Sequence, residues 1–129
     1  MNSDIKVLGR CLDVLGEYAE AHEQIGMLGP KIMEGDGRMQ PSCRGFPKLW
    51  NMFCRALAID ALLPRWEIFN GYLLRHWEQN ATRDVDILSG CFWFIRREAL
   101  ESVGLLDEGF FMYGEDMDWC KRFRLRGWI

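Results

Sequence analysis

Residues 107–120 read Asp107-Glu108-Gly109-Phe110-Phe111-Met112-Tyr113-Gly114-Glu115-Asp116-Met117-Asp118-Trp119-Cys120. Five carboxylates and several aromatics alternate along this run. Gly114 allows a sharp backbone turn, so the pattern predicts an aromatic loop over 110–113 and a helix from Glu115 to about Arg126. The first turn of that helix is acidic (Glu115, Asp116, Asp118) and its end is basic (Lys121, Arg122, Arg124, Arg126), which complements the helix dipole. Gly127 is placed as its stop. A carboxylate projecting from such a helix start into a cleft can act as a general base toward a hydroxyl. Acidic residues also favour a helix N-terminus through capping and charge alone, and the spacing does not separate the two roles. The D-x-D-x-D-G spacing of a calcium-binding EF-hand loop is absent.

Working upstream, Cys91-Phe92-Trp93-Phe94-Ile95 is a continuous apolar run, as expected of a strand buried on both faces. A short helix follows over 97–103, with Gly104 as its C-terminal cap. Nearer the N-terminus, Leu8, Leu12, Leu15 and Ala19 recur at helical spacing and predict a helix over 7–23. Ile25 to Leu28 reads as a strand ended by Gly29-Pro30. Lys31-Ile32-Met33 resumes it, and residues 34–37 form a turn. Residues 38–47 read as a loop. From Lys48 to about Leu63 the pattern is helical again, with Trp50, Phe53, Cys54 and Leu57 on one wide stripe. Residues 65–83 carry no clear pattern. Helices and strands alternate, so the fold class is α/β, in one domain spanning residues 1–129 with no repeat or linker.

The composition bounds the function. The chain has 129 residues, with 16 Lys+Arg against 19 Asp+Glu and a formal net charge of −3. That length can bury a core, and the acidic balance argues against nucleic acid as a partner. No stretch approaches the roughly 20 apolar residues that span a bilayer. The five cysteines are odd in number and lack C-x-x-C spacing, so they read as reduced thiols of a cytoplasmic protein. Aromatics are 13% of the chain and concentrate after residue 45. Arg65, Arg75 and Arg83 beside the Trp-rich middle could meet anionic headgroups at the inner face of the cell membrane, a peripheral association. Asn2-Ser3-Asp4 offers an Asp that could hold Mg²⁺ or Mn²⁺ together with ligand phosphates, or simply cap the following helix. Neither His22 nor His76 has a neighbour at ligand spacing, and no phosphate-binding glycine motif occurs.

Four blocks in order carry a resemblance: Asp84 to Cys91, Arg96 to Gly104, Leu106 to Asp118, and Arg122 to Trp128. Together they resemble family 2 glycosyltransferases of the GT-A fold, in the rhamnosyltransferase-like branch that builds surface polysaccharides. Asn2-Ser3-Asp4-Ile5 is similar to that family's N-x-D form of the D-x-D motif. The resemblance implies an inverting, metal-dependent transfer of a sugar such as rhamnose from a nucleotide-sugar donor to a saccharide or lipid-linked acceptor. Asp4 would bind the cation, Mg²⁺ or Mn²⁺. Asp116 would be the base, with Glu115 beside it. Asn2, Ser89 and Gly90 would lie on the donor side, and the aromatic stretch from Trp50 to Trp77 would help seat the acceptor. It also implies a partial GT-A domain, the acceptor-side half, without the nucleotide-binding strands expected upstream of Asn2. A non-catalytic remnant that binds a glycan or a partner would carry the same motifs.

Overall fold

The computed structural model describes residues 2–78 and 80–129. The chain is a mixed helix-and-strand structure in two compact units. One comprises Met1–Ser42 and Leu88–Ile129, and the other Cys43–Ile87.

In the first unit, α1 (Cys11–Ala21) starts later than the apolar spacing predicts. Gly9 turns the chain at φ +55°, and Arg10 then folds over the first turns to reach Asp13 (3.3 Å) and Glu17 (2.9 Å). Only the C-terminal part of the expected stripe packs: Ala19 is buried and Leu15 half-buried, while Leu8 and Leu12 stay exposed. β1 (Met27–Leu28) pairs antiparallel with β6 (Phe94–Ile95), Met27 opposite Ile95. β2 (Ile32–Met33) and β3 (Met39–Gln40) form a hairpin, with Gly37 at φ +85° in its turn. β3 therefore occupies part of the expected 38–47 loop, as does β4 (Cys43–Arg44), which belongs to the second unit and pairs with β5 (Ile87–Leu88).

The strand expected over 91–95 shrinks to its last two residues. Cys91 and Phe92 are buried all the same, and they enter the core from a turn. They form a cluster with Ile32, against which Ile5, Leu15 and Phe94 pack. An apolar run signals burial, and here burial comes without a ladder. The described strands thus form three two-stranded sheets, and no strand is buried between parallel neighbours.

α5 (Arg97–Val103) ends where expected, with Gly104 at φ +84° donating to the Leu100 carbonyl (2.8 Å). α6 (Glu115–Leu125) packs against α5 and buries Trp119, Cys120 and Phe123. The Trp119 indole sits edge-on to Trp93 and to Phe123 and donates to the Gly104 carbonyl (2.8 Å). Gly127, at φ +84°, turns the chain so that Ile129 exchanges backbone hydrogen bonds with Gln24, Gly26 and Met27. A Cβ on Gly26 would lie within 3.0 Å of Trp128, Ala99 and Phe123 side-chain atoms. That position must stay bare for this edge to close on α5 and α6.

Within the second unit, the expected helix over 48–63 is two helices. α2 (Leu49–Ala56) stops at Leu57, and Ala58 adopts φ +56° before α3 (Ile59–Leu62) begins. A left-handed residue cannot continue a right-handed helix. α4 (Glu67–Asn70) lies in the stretch with no clear pattern, and the three short helices pack on one another.

Arg96 is the long-range tie of the first unit. Its guanidinium donates to the carbonyls of Ala19, Ile25 (2.9 Å) and His22 (3.4 Å). A hydrogen bond to a charged group contributes about 1.5–3 kcal/mol net. Arg96→Ala is expected to lower unfolding free energy by about 2–4 kcal/mol, read by urea denaturation. An unchanged midpoint would show that these carbonyls are satisfied by water instead.

Candidate active site at the start of the last helix

The local backbone before α6 is strained. Tyr113 and Gly114 both have positive φ, +66° and +92°. A bulky residue in this region costs energy and persists only where its surroundings impose it. The two left-handed residues reverse the chain so that α6 starts directly at Glu115. Its N-cap, Gly114, has no side chain, and no side chain caps the helix. Phe111 and Tyr113 are left almost wholly in solvent.

The carboxylates of the motif then sort by their partners. Asp107 accepts from the Gly109 N–H (2.8 Å) and shapes the turn. Asp118 pairs with Arg122 (2.8 Å), whose guanidinium also donates to the Val103 and Leu105 carbonyls. Both are structural. Glu115 and Asp116 are half-buried and hold no such role. Among the described residues, Asp116 accepts only from the N–H of Met117 beside it (2.8 Å). One carboxylate oxygen of Glu115, Oε2, is buried and has no hydrogen-bond partner among the described residues. A buried acceptor left unsatisfied costs about 1–3 kcal/mol, and its persistence beside a strained turn marks a place where a donor is expected.

The donor-side residues named from the sequence are drawn to the same unit. The Asn2 N–H donates to the Cys91 carbonyl (2.9 Å), and Ile5 closes a turn back onto the Asn2 carbonyl (3.3 Å). Asn2 thereby lies along the Ser89-Gly90-Cys91 segment. That segment is held from below: the Ser89 N–H donates to the Ser42 carbonyl (2.8 Å), and the Trp93 indole donates to the Leu88 carbonyl (3.1 Å). A Cβ on Gly90 would only touch the Trp93 ring, at 3.5 Å, so packing does not demand glycine there. Leu88 in turn meets α6, its N–H pointing at Cys120 Sγ (3.5 Å), one helical turn beyond Asp116. Asn2 is thus joined to the Ser89–Cys91 segment through the backbone, and that segment to α6 through the Cys120 side chain.

Asp4 differs from these. It is exposed, in the turn after Asn2, and no group of three or more metal-ligating side chains exists among the described residues. A protein cage for a cation is therefore absent there. One carboxylate is still a sufficient protein share for a hard cation that takes its other ligands from phosphates and water. Asp4 fits that mode only.

A cleft of about 400 Å³ escaped the sequence reading. It lies within the second unit, bordered by Gly45, Phe46, Trp50, Asn51, Arg83 and Asp86 among others. Trp50 is fixed by donating to the Ile68 carbonyl (3.0 Å), and Asp86 by accepting from the Phe46 N–H (2.8 Å). Arg83 bridges Glu67 (3.2 Å) and His76 (3.2 Å) and lies over the Trp77 ring. Its members come from residues 45–51 and 67–86, without local spacing to reveal them. One sequence signal existed: a Cβ on Gly45 would run into the Gly71 carbonyl, so two glycines far apart in sequence mark one close approach.

Burial pushes the Cys120 thiol up to about 11, and the nearby Asp116 charge adds to the effect against the Leu88 hydrogen bond. The folded chain therefore holds Cys120 as a neutral thiol well above the pH at which a free cysteine ionises. Any stability linked to this group is fully present below its unfolded pKa and is lost as pH rises toward 11. Alkylation by iodoacetamide at pH 8 is expected to label Cys11 and to spare Cys120 until denaturant is added, as read by peptide mass mapping. Labelling of both at equal rates would refute the buried setting of this face of α6.

The chain is 34% identical over 128 residues to N-acetylglucosaminyl-diphospho-decaprenol L-rhamnosyltransferase of Mycobacterium tuberculosis, in strains CDC 1551 / Oshkosh and ATCC 25618 / H37Rv alike. The match covers 99% of this chain and 41% of each relative, so the chain spans about two fifths of the length of the curated relatives it matches. No family model and no solved structure matches it. This identity over nearly the whole chain supports a relationship to a glycosyltransferase.

Proposed function

We propose that this chain carries the acceptor-side part of a glycosyl-transfer site, of the inverting GT-A type in family 2. A nucleotide-sugar is the donor, with a deoxyhexose such as rhamnose as the sugar. A saccharide carried on a lipid diphosphate is the acceptor, by analogy with the relative's name. The observation that carries the reading is the Glu115-Asp116 pair at the start of α6, with Glu115 Oε2 buried and unsatisfied among the described residues and Asp116 accepting from the adjacent Met117 N–H, on the helix that also braces the Leu88–Cys91 segment.

The chemistry is consistent with those groups. A sugar hydroxyl is a weak nucleophile near neutral pH and needs a positioned base. Asp116 takes the hydroxyl proton as the oxygen attacks the anomeric carbon. The bond to the donor diphosphate breaks, and the diphosphate leaves with the electron pair, so the configuration inverts. Glu115 accepts a hydrogen bond from a second acceptor hydroxyl, which satisfies Oε2. Asn2 and Ser89-Gly90 border the donor, where Gly90 leaves room for the sugar. Asp4 would hold Mg²⁺ or Mn²⁺ jointly with the diphosphate, and the cation would neutralise charge on the leaving group.

Release of nucleoside diphosphate from a panel of nucleotide-sugars, with Mg²⁺ or Mn²⁺ and a lipid-linked saccharide, tests the reading. Asp116→Asn is expected to cut the rate by about 100-fold or more with an unchanged circular dichroism melt. Glu115→Gln should raise KM for the acceptor more than it lowers kcat. No release from folded wild-type chain with either cation would sink transferase activity for this chain.

A further inference from the structure

The three helices of the second unit are built with polar groups inside and apolar groups outside. In α2 the buried residues are Asn51 and Cys54. Leu49, Phe53 and Leu57, a stripe at i, i+4 and i+8, all face solvent, and Leu49 is 92% exposed. α3 buries Asp60 and leaves Leu62 77% exposed. α4 buries Asn70 and exposes Ile68, and Trp66 just before it is 63% exposed. The inward polar groups are partly satisfied, with Asn70 Oδ1 left without a hydrogen-bond partner among the described residues. The Asn70 amide donates to the carbonyls of Asp60 (3.1 Å) and Leu63 (2.9 Å). The Asp60 carboxylate lies 3.9 Å from Arg55 and 3.8 Å from Arg75. A water-facing helix buries its apolar stripe and exposes its polar one. Here the order is reversed on three consecutive helices, and exposed apolar surface on that scale marks an interaction site.

Charge indicates what covers it. Residues 44–77 hold five cations (Arg44, Lys48, Arg55, Arg65, Arg75) and two carboxylates, in a chain whose net charge is −3. One of those carboxylates, Asp60, is shared by two guanidiniums. Arg65 is exposed and makes no ion pair among the described residues. Basic residues beside exposed Leu, Phe and Trp complement an anionic lipid surface, where apolar side chains enter the acyl boundary and cations meet phosphates. A second copy of the same face would bring like charges together. No helix among the described residues is long and apolar enough to cross a membrane, and α2 has only 8 residues, so the geometry is that of a module lying on the surface.

We infer that the outward faces of α2, α3 and α4 dock on an anionic lipid bilayer. Leu49, Phe53, Leu62 and Trp66 insert at the headgroup boundary, and Lys48, Arg55 and Arg65 meet the lipid phosphates. This docking does not depend on the transfer chemistry, and none of its apolar anchors belongs to the proposed catalytic groups.

Co-sedimentation of the full chain with phosphatidylcholine vesicles, with and without phosphatidylglycerol, tests it. Binding is expected on the anionic vesicles, weakened by high salt, with a blue shift of tryptophan emission. The double substitution Leu62→Ser/Trp66→Ser should reduce partitioning by about tenfold or more, and Arg65→Gln by about fivefold. All three positions are exposed, so the variants should melt like the parent. Folded chain that stays in the supernatant with both vesicle types would overturn the inference. So would a dimer, seen by sedimentation equilibrium without lipid, that Leu62→Ser/Trp66→Ser dissociates.

Discussion

The Arg96 guanidinium and the three carbonyls it reaches hold the first unit together. The last turn of any helix leaves carbonyls without intrahelical partners. Past the end of α1 the Ala19 and His22 carbonyls each accept one backbone N–H, from His22 and Ile25, and Arg96 adds a charged donor to both along with the Ile25 carbonyl at the entry to β1. More than 70 residues of chain separate donor and acceptors. One side chain therefore joins the N-terminal helix to the strand pair β1–β6 and, through the next residue, to α5. Gly26 completes the joint, because the chain edge closed by Ile129 passes too near Ala99 and Phe123 for any side chain.

From that joint the candidate site follows by stacking. α5 positions α6, Trp119 locks α6 to the Gly104 turn, and Cys120 supports the segment that carries Ser89 and Gly90. With Asp107 and Asp118 occupied in turn and helix and Glu108 exposed in the loop, Glu115 and Asp116 are the motif's half-buried carboxylates left to meet something from outside. The positive φ at Tyr113 and Gly114 puts them at the very start of the helix.

The second unit obeys a different rule. Its interior holds the Asn70 amide, which donates to backbone carbonyls, and the Asp60 carboxylate near Arg55 and Arg75, alongside buried Cys54, Leu74 and Ile87, while many leucines and aromatics of its helices face outward. Buried polar groups are tolerated when they are paired; here the Asn70 amide N–H groups are paired and the Asp60 carboxylate lies near two guanidiniums. A lipid diphosphate acceptor, as proposed for the transfer reaction, is presented at a membrane. An apolar, basic face on the same chain is physically compatible with working there.

Local chemistry made parts of this protein legible. α5 and its Gly104 cap, the body of α6, the hairpin turn at Gly37 and the acidic motif all rest on neighbours in sequence, where propensity, capping and charge act directly. The break in the helix expected over 48–63 is not legible locally, because Ala58 carries no mark of its left-handed conformation. The strand over 91–95 was misread because an apolar run reports burial rather than pairing. The apolar stripe of residues 49–57 was legible as a stripe, but periodicity does not say which side of a helix faces the core. The sequence by itself determined which residues could do chemistry, since a carboxylate at a helix start is a local pattern. Only the tertiary structure decided which of five carboxylates stay uncommitted, that Asn2 lies along Ser89-Gly90-Cys91, and that the second unit turns its leucines outward. Those outcomes depend on hydrogen bonds and packing between residues distant in sequence, whose partners no local pattern specifies.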